Sequence, residues 1–237
     1  MGKQANFILG ATVPCESGRG QLVASRLVFV ALGDSLTVGY HPPPLNGESP
    51  RATPYTRFLA EEVEGFLSRE GASGLQVGFM NRGVTGELTS DMLGRFETDV
   101  VSQRPDAVIV LGGSNDLGWG YEPSTVAENL QEIYEKARAK GMEPISCTVP
   151  SVFGFDEGIE PRLELNRLIK GCSAERGMAC VDLFRATCDP PTNRLKQEYS
   201  DDGLHMTSAG YRTLGETIFL EAVRGIILRR LGGSAHS

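Results

Sequence analysis

Five short runs of consecutive apolar residues punctuate the chain, and each is followed by a stretch in which apolar positions recur every three or four residues. The runs are LVFVALG (27–33), LQVGFM (75–80), DAVIVLG (106–112), EPISCTVP (143–150) and MACVDLF (178–184). Unbroken runs rich in Val and Ile, rather than alternating ones, mark strands covered on both faces, as in a parallel sheet. The intervening spacing predicts helices. Residues 53–71 place Phe58, Leu59, Val63, Phe66 and Leu67 on one side, and from Leu88 the positions Met92, Phe96 and Val100 recur every four. In 125–141, Thr125 and Glu128 form a candidate capping box, Val126, Leu130, Ile133, Tyr134 and Ala137 make the stripe, and Gly141 closes it. Pro161 to Arg176 carries Leu165, Leu168, Ile169 and Cys172, and a last helix from Ser208 carries Tyr211, Leu214, Ile218, Ala222 and Ile226.

Alternating strands and helices predict an α/β protein, a three-layer α/β/α sandwich on a five-stranded parallel sheet. One domain is expected over 27–231, with an irregular arm at 1–26 and a tail at 232–237. The Pro-rich HPPPLNGESPRATP (41–54) interrupts one unit and reads as a loop rather than a domain boundary. In open sheets of this kind, ligands bind beyond the carboxyl ends of the strands. The residues that follow each apolar run are therefore the ones to inspect.

Composition narrows the function classes. The 237 residues are 40% hydrophobic and 22% charged with a formal charge of −7, which argues against a nucleic-acid binder. No apolar run approaches the roughly 18–20 residues of a membrane span. The first residues lack a continuous apolar segment of the signal-peptide kind, which reads as cytoplasmic. The five cysteines (15, 147, 172, 180 and 188) form no CxxC pair, so neither zinc nor another metal is expected. Cys147 and Cys180 lie within strand-like runs and read as core residues, while a disulfide among Cys172, Cys180 and Cys188 stays open. The sequence specifies no oligomeric state.

The strand ends carry chemistry. Gly33-Asp34-Ser35 follows the first run, Asn81-Arg82-Gly83-Val84-Thr85-Gly86 the second, Gly112-Gly113-Ser114-Asn115-Asp116 the third, and Asp201-Asp202-Gly203-Leu204-His205 precedes the last helix. A serine hydroxyl is a poor nucleophile unless a base removes its proton, and histidine suits that task near neutrality. A carboxylate on the other ring nitrogen fixes the tautomer. Backbone N–H groups and an asparagine amide supply donors for an oxyanion. Of the three histidines, His41 sits in the Pro-rich loop and His236 in the tail, so only His205 lies before a helix with an acid nearby; Gly203 permits the tight turn that lets residues 202 and 205 meet. Asp201 could exchange roles with Asp202, and Gly83 and Gly86 could both supply an N–H.

GDSL at 33–36, the Gly86 turn, GxND at 113–116 and DxxH at 202–205 resemble, in order, the four sequence blocks of the SGNH (GDSL-type) esterase/lipase family. The resemblance implies a flavodoxin-like fold, Ser35 as nucleophile, His205 as base and Asp202 as its orienting acid. Gly86 and Asn115 would join the Ser35 N–H in an oxyanion hole. It implies a small-molecule ester substrate and no cofactor, with short or medium acyl esters or aryl esters expected. Carbohydrate O-acetyl esters, thioesters and lysophospholipids are the alternatives within the family. Tyr40, Pro42–Pro44, Trp119, Tyr121, Phe153 and Phe155 follow strands on the same side and either bind substrate or pack loops. A non-catalytic flavodoxin-like binding module is the rival from another class, but it leaves Asp202-x-x-His205 without a purpose.

Overall fold

The computed structural model describes residues 25–42, 51–72 and 74–233. Cys15, Pro43, Pro44, His236 and most of the expected arm and tail lie outside the described residues. Five strands form one sheet: β1 (Ser25–Gly33), β2 (Leu75–Gly83), β3 (Ala107–Leu111), β4 (Glu143–Cys147) and β5 (Ala179–Val181). All are parallel, in the order β2-β1-β3-β4-β5, the doubly wound flavodoxin-like arrangement. The chain leaves β1 for one edge and then crosses back to β3. Gly33 pairs with Gly83 on one side and Leu111 on the other, so three strand ends meet beside the β1 terminus.

The helices are α1 (Tyr55–Arg69), α2 (Thr89–Gly94), α3 (Pro123–Ala139), α4 (Ile159–Arg176), α5 (Ser208–Ile218) and α6 (Arg224–Gly233). Successive β1 side chains point to opposite faces. Leu27, Phe29 and Ala31 join a core with α1 and α5, and Val30 and Leu32 join one with α2, α3 and α4. That double covering explains the unbroken apolar runs, and each fully buried Val, Leu or Phe contributes about 1.5–3 kcal/mol.

Local details depart from the sequence reading. The helix expected from Leu88 breaks after Gly94, where Arg95 takes φ −97° and ψ 5°, and short turns at Phe96–Asp99 and Val101–Gln103 complete the path. The four-residue spacing survives because Met92, Phe96 and Val100 all enter the same core. Helix α3 begins at Pro123, two residues before Thr125, so Thr125 is not its cap, and Glu122 at the cap position makes no side-chain capping bond. Proline at the first helical position needs no N–H partner and is already bent for a helix. Part of the segment expected as loop forms a two-residue ladder, Tyr40–His41 with Arg51–Ala52. Cys147, Cys172, Cys180 and Cys188 are all unpaired. Among the described residues no helix is long and apolar enough to cross a membrane, and no cluster of His, Cys, Asp or Glu could hold a metal ion.

Candidate active site

Ser35 opens a single helical turn, Ser35–Val38, directly after β1. Asp34 builds that turn: its Oδ1 accepts from the Leu36 N–H at 2.9 Å, and its carbonyl accepts from Thr37 and Val38 at 3.0 Å each. Asp34 is buried, and its Oδ2 has no hydrogen-bond partner. Burial pushes its carboxyl up to about 7, with the charges of Asp116 and Glu87 adding to the shift and the Leu36 amide opposing it. Asp34 supports the turn, and the carboxylate bonded to the imidazole is that of Asp202.

The base side is one short loop. His205 Nε2 lies 3.2 Å from Ser35 Oγ, and His205 Nδ1 lies 2.7 Å from Asp202 Oδ2. Asp202 Oδ1 also accepts the backbone N–H groups of Leu204 (2.9 Å) and His205 (2.7 Å), so one carboxylate holds both the ring and the main chain of the same histidine. Burial pulls the Asp202 carboxyl upward, but these hydrogen bonds outweigh it and keep the acid below its ordinary range. Gly203 makes the turn at φ +83°, and its N–H donates to Ser200 Oγ at 2.9 Å. The Ser200 hydroxyl donates to the His205 carbonyl at 2.6 Å, closing the loop. Asp201 is exposed, and Asp202 is the acid in contact with the ring.

The donor side comes from β2 and β3. Gly83 belongs to the strand rather than to the turn after it; its N–H already donates to Asn81 Oδ1 at 2.9 Å. A Cβ there would stand 2.4 Å from the Val38 nitrogen, so glycine is what lets the Ser35 turn sit against β2. Asn81 fastens the same junction, its Nδ2 donating to the Thr37 carbonyl at 2.5 Å. Gly86 follows at φ +80°, and none of the described residues accepts its N–H. Asn115 lies in the turn Ser114–Gly118, with Nδ2 donating one hydrogen to the Glu87 carbonyl at 2.9 Å. Its amide has a second hydrogen to give. Asp116 accepts from the Thr89 N–H and hydroxyl, joining α2 to this turn.

The rim residues separate. The Tyr40 and His205 rings meet edge to face with their centroids 4.7 Å apart, and the Tyr211 hydroxyl donates to the Tyr40 carbonyl at 2.8 Å. Trp119 is 77% exposed, while its N–H donates to the Asn115 carbonyl at 2.9 Å. Tyr121 and Phe155 are exposed as well. Phe153 instead packs against the core beside β4, and its N–H donates to the Gly203 carbonyl at 3.1 Å. His41, given no role in the sequence analysis, has its ring centroid 5.4 Å from that of Tyr211. Burial lowers its pKa, with Arg51 and His205 adding to the shift and Asp201 opposing it. Sequence reasoning also gave no site role to Arg95, Glu87, Ser200 and Tyr211, which lie outside the four motifs: Arg95 bonds the Gly33 carbonyl, the Glu87 carbonyl accepts from Asn115, Ser200 bonds the His205 loop, and Tyr211 bonds Tyr40 beside the imidazole.

A serine in reach of an imidazole, the imidazole in reach of a carboxylate, and donors on the two strand ends that flank the serine's own strand define an α/β protein equipped for acyl transfer. The profile of the GDSL-like Lipase/Acylhydrolase family matches residues 31–213, and the chain belongs to that family. It is 30% identical over 159 residues to the uncharacterized lipoprotein YqeF of Bacillus subtilis (strain 168), a match spanning 62% of this chain and 56% of that protein. It is similar in structure to the lipase/acylhydrolase from Enterococcus faecalis, with a TM-score of 0.67, 25% identity and coverage of 82% of this chain and 94% of the other. A variant of the acetyl xylan esterase from Geobacillus stearothermophilus shares the fold, at TM-score 0.65 and 21% identity, covering 85% and 96% of the two chains.

Proposed function

We propose that the protein is a serine hydrolase of carboxylic esters that works through an acyl-enzyme on Ser35. The observation that carries this reading is the continuous relay from Ser35 Oγ to His205 Nε2 (3.2 Å) and from His205 Nδ1 to Asp202 Oδ2 (2.7 Å). His205 takes the hydroxyl proton as Ser35 Oγ bonds to the ester carbonyl carbon, and the carbonyl oxygen becomes an oxyanion. The Ser35 and Gly86 N–H groups and the second Asn115 hydrogen receive that charge. As the tetrahedral intermediate collapses, the carbon–alkoxy bond breaks and His205 returns the proton to the departing alcohol. Water, deprotonated by His205, then attacks the acyl carbon; the bond to Ser35 Oγ breaks, His205 returns the proton to Ser35 Oγ, and the free acid leaves.

Hydrolysis of p-nitrophenyl esters from acetyl to long-chain acyl tests this, with Ser35→Ala and His205→Ala assayed beside wild type. Each replacement is expected to lower kcat about 10³-fold or more. A Ser35→Ala protein that kept most of its activity would place the nucleophile elsewhere.

A sugar O-acetyl ester is the second reading, supported by the exposed Trp119 beside Asn115 and by the likeness to the acetyl xylan esterase. An exposed indole offers a flat face to a ring-shaped alcohol. Faster release of acetate from acetylated xylo-oligosaccharides than from p-nitrophenyl acetate, lost in Trp119→Ala, would favour it.

A further inference from the structure

The three oxyanion donors sit on different elements: Ser35 after β1, Gly86 after β2 and Asn115 after β3. Their usefulness depends on one shared geometry, because such donors act on a charge that develops at a single point. One side chain contacts two of these supports directly and the third through Glu87. Arg95, at the end of α2, donates from Nη2 to the Gly33 carbonyl (3.2 Å) and to the Arg82 carbonyl (2.8 Å). Its Nε donates to Glu87 Oε1 at 2.6 Å, and its Nη2 also pairs with Glu87 Oε2. Its Nη1 donates to Asp99 Oδ2 at 2.8 Å.

These contacts bracket the donors. The Gly33 carbonyl lies two residues before Ser35 and also accepts the Val84 N–H at 3.0 Å. Arg82 and Glu87 flank Gly86. The Glu87 carbonyl in turn holds the Asn115 amide at 2.9 Å. The Arg95 and Glu87 side chains are only 16% and 7% exposed, so solvent screens the pair little. Burial works against the Arg95 charge, and the Glu87 and Asp99 carboxylates outweigh it. The planar fork of a guanidinium can serve two carboxylates and two carbonyls at once; a lysine ammonium has three donors and no fixed plane.

We propose that Arg95, with Glu87 as its partner, is the positioning residue of the oxyanion site, locking the Ser35, Gly86 and Asn115 supports into one frame without touching substrate. The proposal rests on the ester-hydrolase reading. A frame that loosens by about 1 Å can cost about 10²-fold in rate even when the change lies away from the chemistry. The loss falls on kcat, because the oxyanion exists in the tetrahedral intermediates and the transition states around them but not in bound substrate, and KM stays close to wild type. A buried ion pair with no such task can instead be replaced by apolar groups at little cost.

The test compares wild type, Arg95→Lys, Asn115→Ala and the double variant on p-nitrophenyl acetate. Urea unfolding and hydrogen exchange over residues 82–91 accompany the kinetics. Arg95→Lys is expected to fold, to lose about ten- to a hundredfold in kcat with KM little changed, and to exchange its Val84 and Thr89 amides faster. In the Asn115→Ala background the Arg95→Lys loss should shrink, because part of the frame then has nothing to hold. Wild-type kcat in folded Arg95→Lys overturns the proposal, and so does a kcat loss with unchanged exchange that multiplies fully with Asn115→Ala. If Arg95→Lys does not fold, Arg95→Met/Glu87→Gln removes both charges together and is judged by the same outcomes. A wild type inert on every ester sinks the ester reading alone; exchange at Val84 and Thr89 still decides whether Arg95 holds this loop.

Discussion

Replacing Asp34 by asparagine should stabilise the protein, and the gain should grow as pH rises. Asp34 is 1% exposed; its Oδ1 caps the Ser35 turn and its Oδ2 has no partner. Its carboxyl is pushed from 3.8 to about 7. Between those values the folded protein holds a proton that the unfolded chain has released, so stability falls as pH rises. The contribution is fully present below pH 4, declines through the interval, and is gone above about pH 7–8. Three pKa units correspond to about 4 kcal/mol, a large share of the roughly 5–15 kcal/mol that holds a domain together. Asparagine keeps an acceptor for Leu36 and does not titrate. Urea unfolding of both proteins from pH 4 to pH 8 gives the difference directly, since other titrations cancel. A difference independent of pH would refute the reasoning. So would one of the opposite slope, which would mean that Asp34 is ionised and paired with Arg162. That arginine is itself buried, its Nε has no partner, and burial pushes its pKa down to about 10 against the favourable charge of Asp34.

Asn115→Ala should lower kcat about 10²-fold with KM little changed, the scale of one oxyanion donor; a large KM rise with intact kcat would make Asn115 a binding residue. Asp202→Asn should cost about 10⁴-fold in kcat. It should also destabilise the protein more at pH 7 than at pH 3, because a depressed carboxyl contributes above its ordinary pKa near 4 and loses that contribution as pH falls through its lower folded value. Equal destabilisation at both pH values would mean the carboxylate is not held as charged. Gly203→Ala puts a Cβ 2.1 Å from the Phe153 carbonyl at φ +83°. Urea unfolding should show a loss on the order of 1–3 kcal/mol or more, and unchanged stability and kcat would show that the turn tolerates a side chain.

The sheet and the four site segments were legible because each signal is local. An apolar run of six or seven residues reports two-sided burial wherever it occurs, and Ser35, Asn115, Asp202 and His205 each follow such a run or precede a helix. The support around them was not legible. Arg95 meets Gly33 across 62 residues and Arg82 across 13, and nothing in its own neighbourhood distinguishes it from a surface arginine. The break at Arg95 was hidden because the apolar spacing continues through it. Gly83 and Gly86 read alike in NRGVTG; β2 extends through Gly83 by pairing with β1, and that long-range ladder separates them. His41 precedes three consecutive prolines in sequence, yet the ladder to Arg51 carries its ring to Tyr211.

The two halves of the site are held by different means. The donor side spans three strand ends and depends on contacts between residues far apart in sequence, with the sheet register as its ruler. The acid–base side is six residues, Ser200 to His205, that bond chiefly to one another. Such a loop can form the Asp202–His205 pair alone but cannot aim it at Ser35. Its aim comes from outside: the Phe153 N–H on the Gly203 carbonyl, the close approach of that glycine to the Phe153 carbonyl, and the Tyr40 ring against the imidazole. Tyr40 is itself fixed through its carbonyl by Tyr211. On this argument Phe153 matters through its main chain, and a side-chain replacement there should leave the 3.2 Å contact between His205 and Ser35 in place. A change in the length of the segment after β4 should break that contact while leaving the Asp202–His205 pair intact.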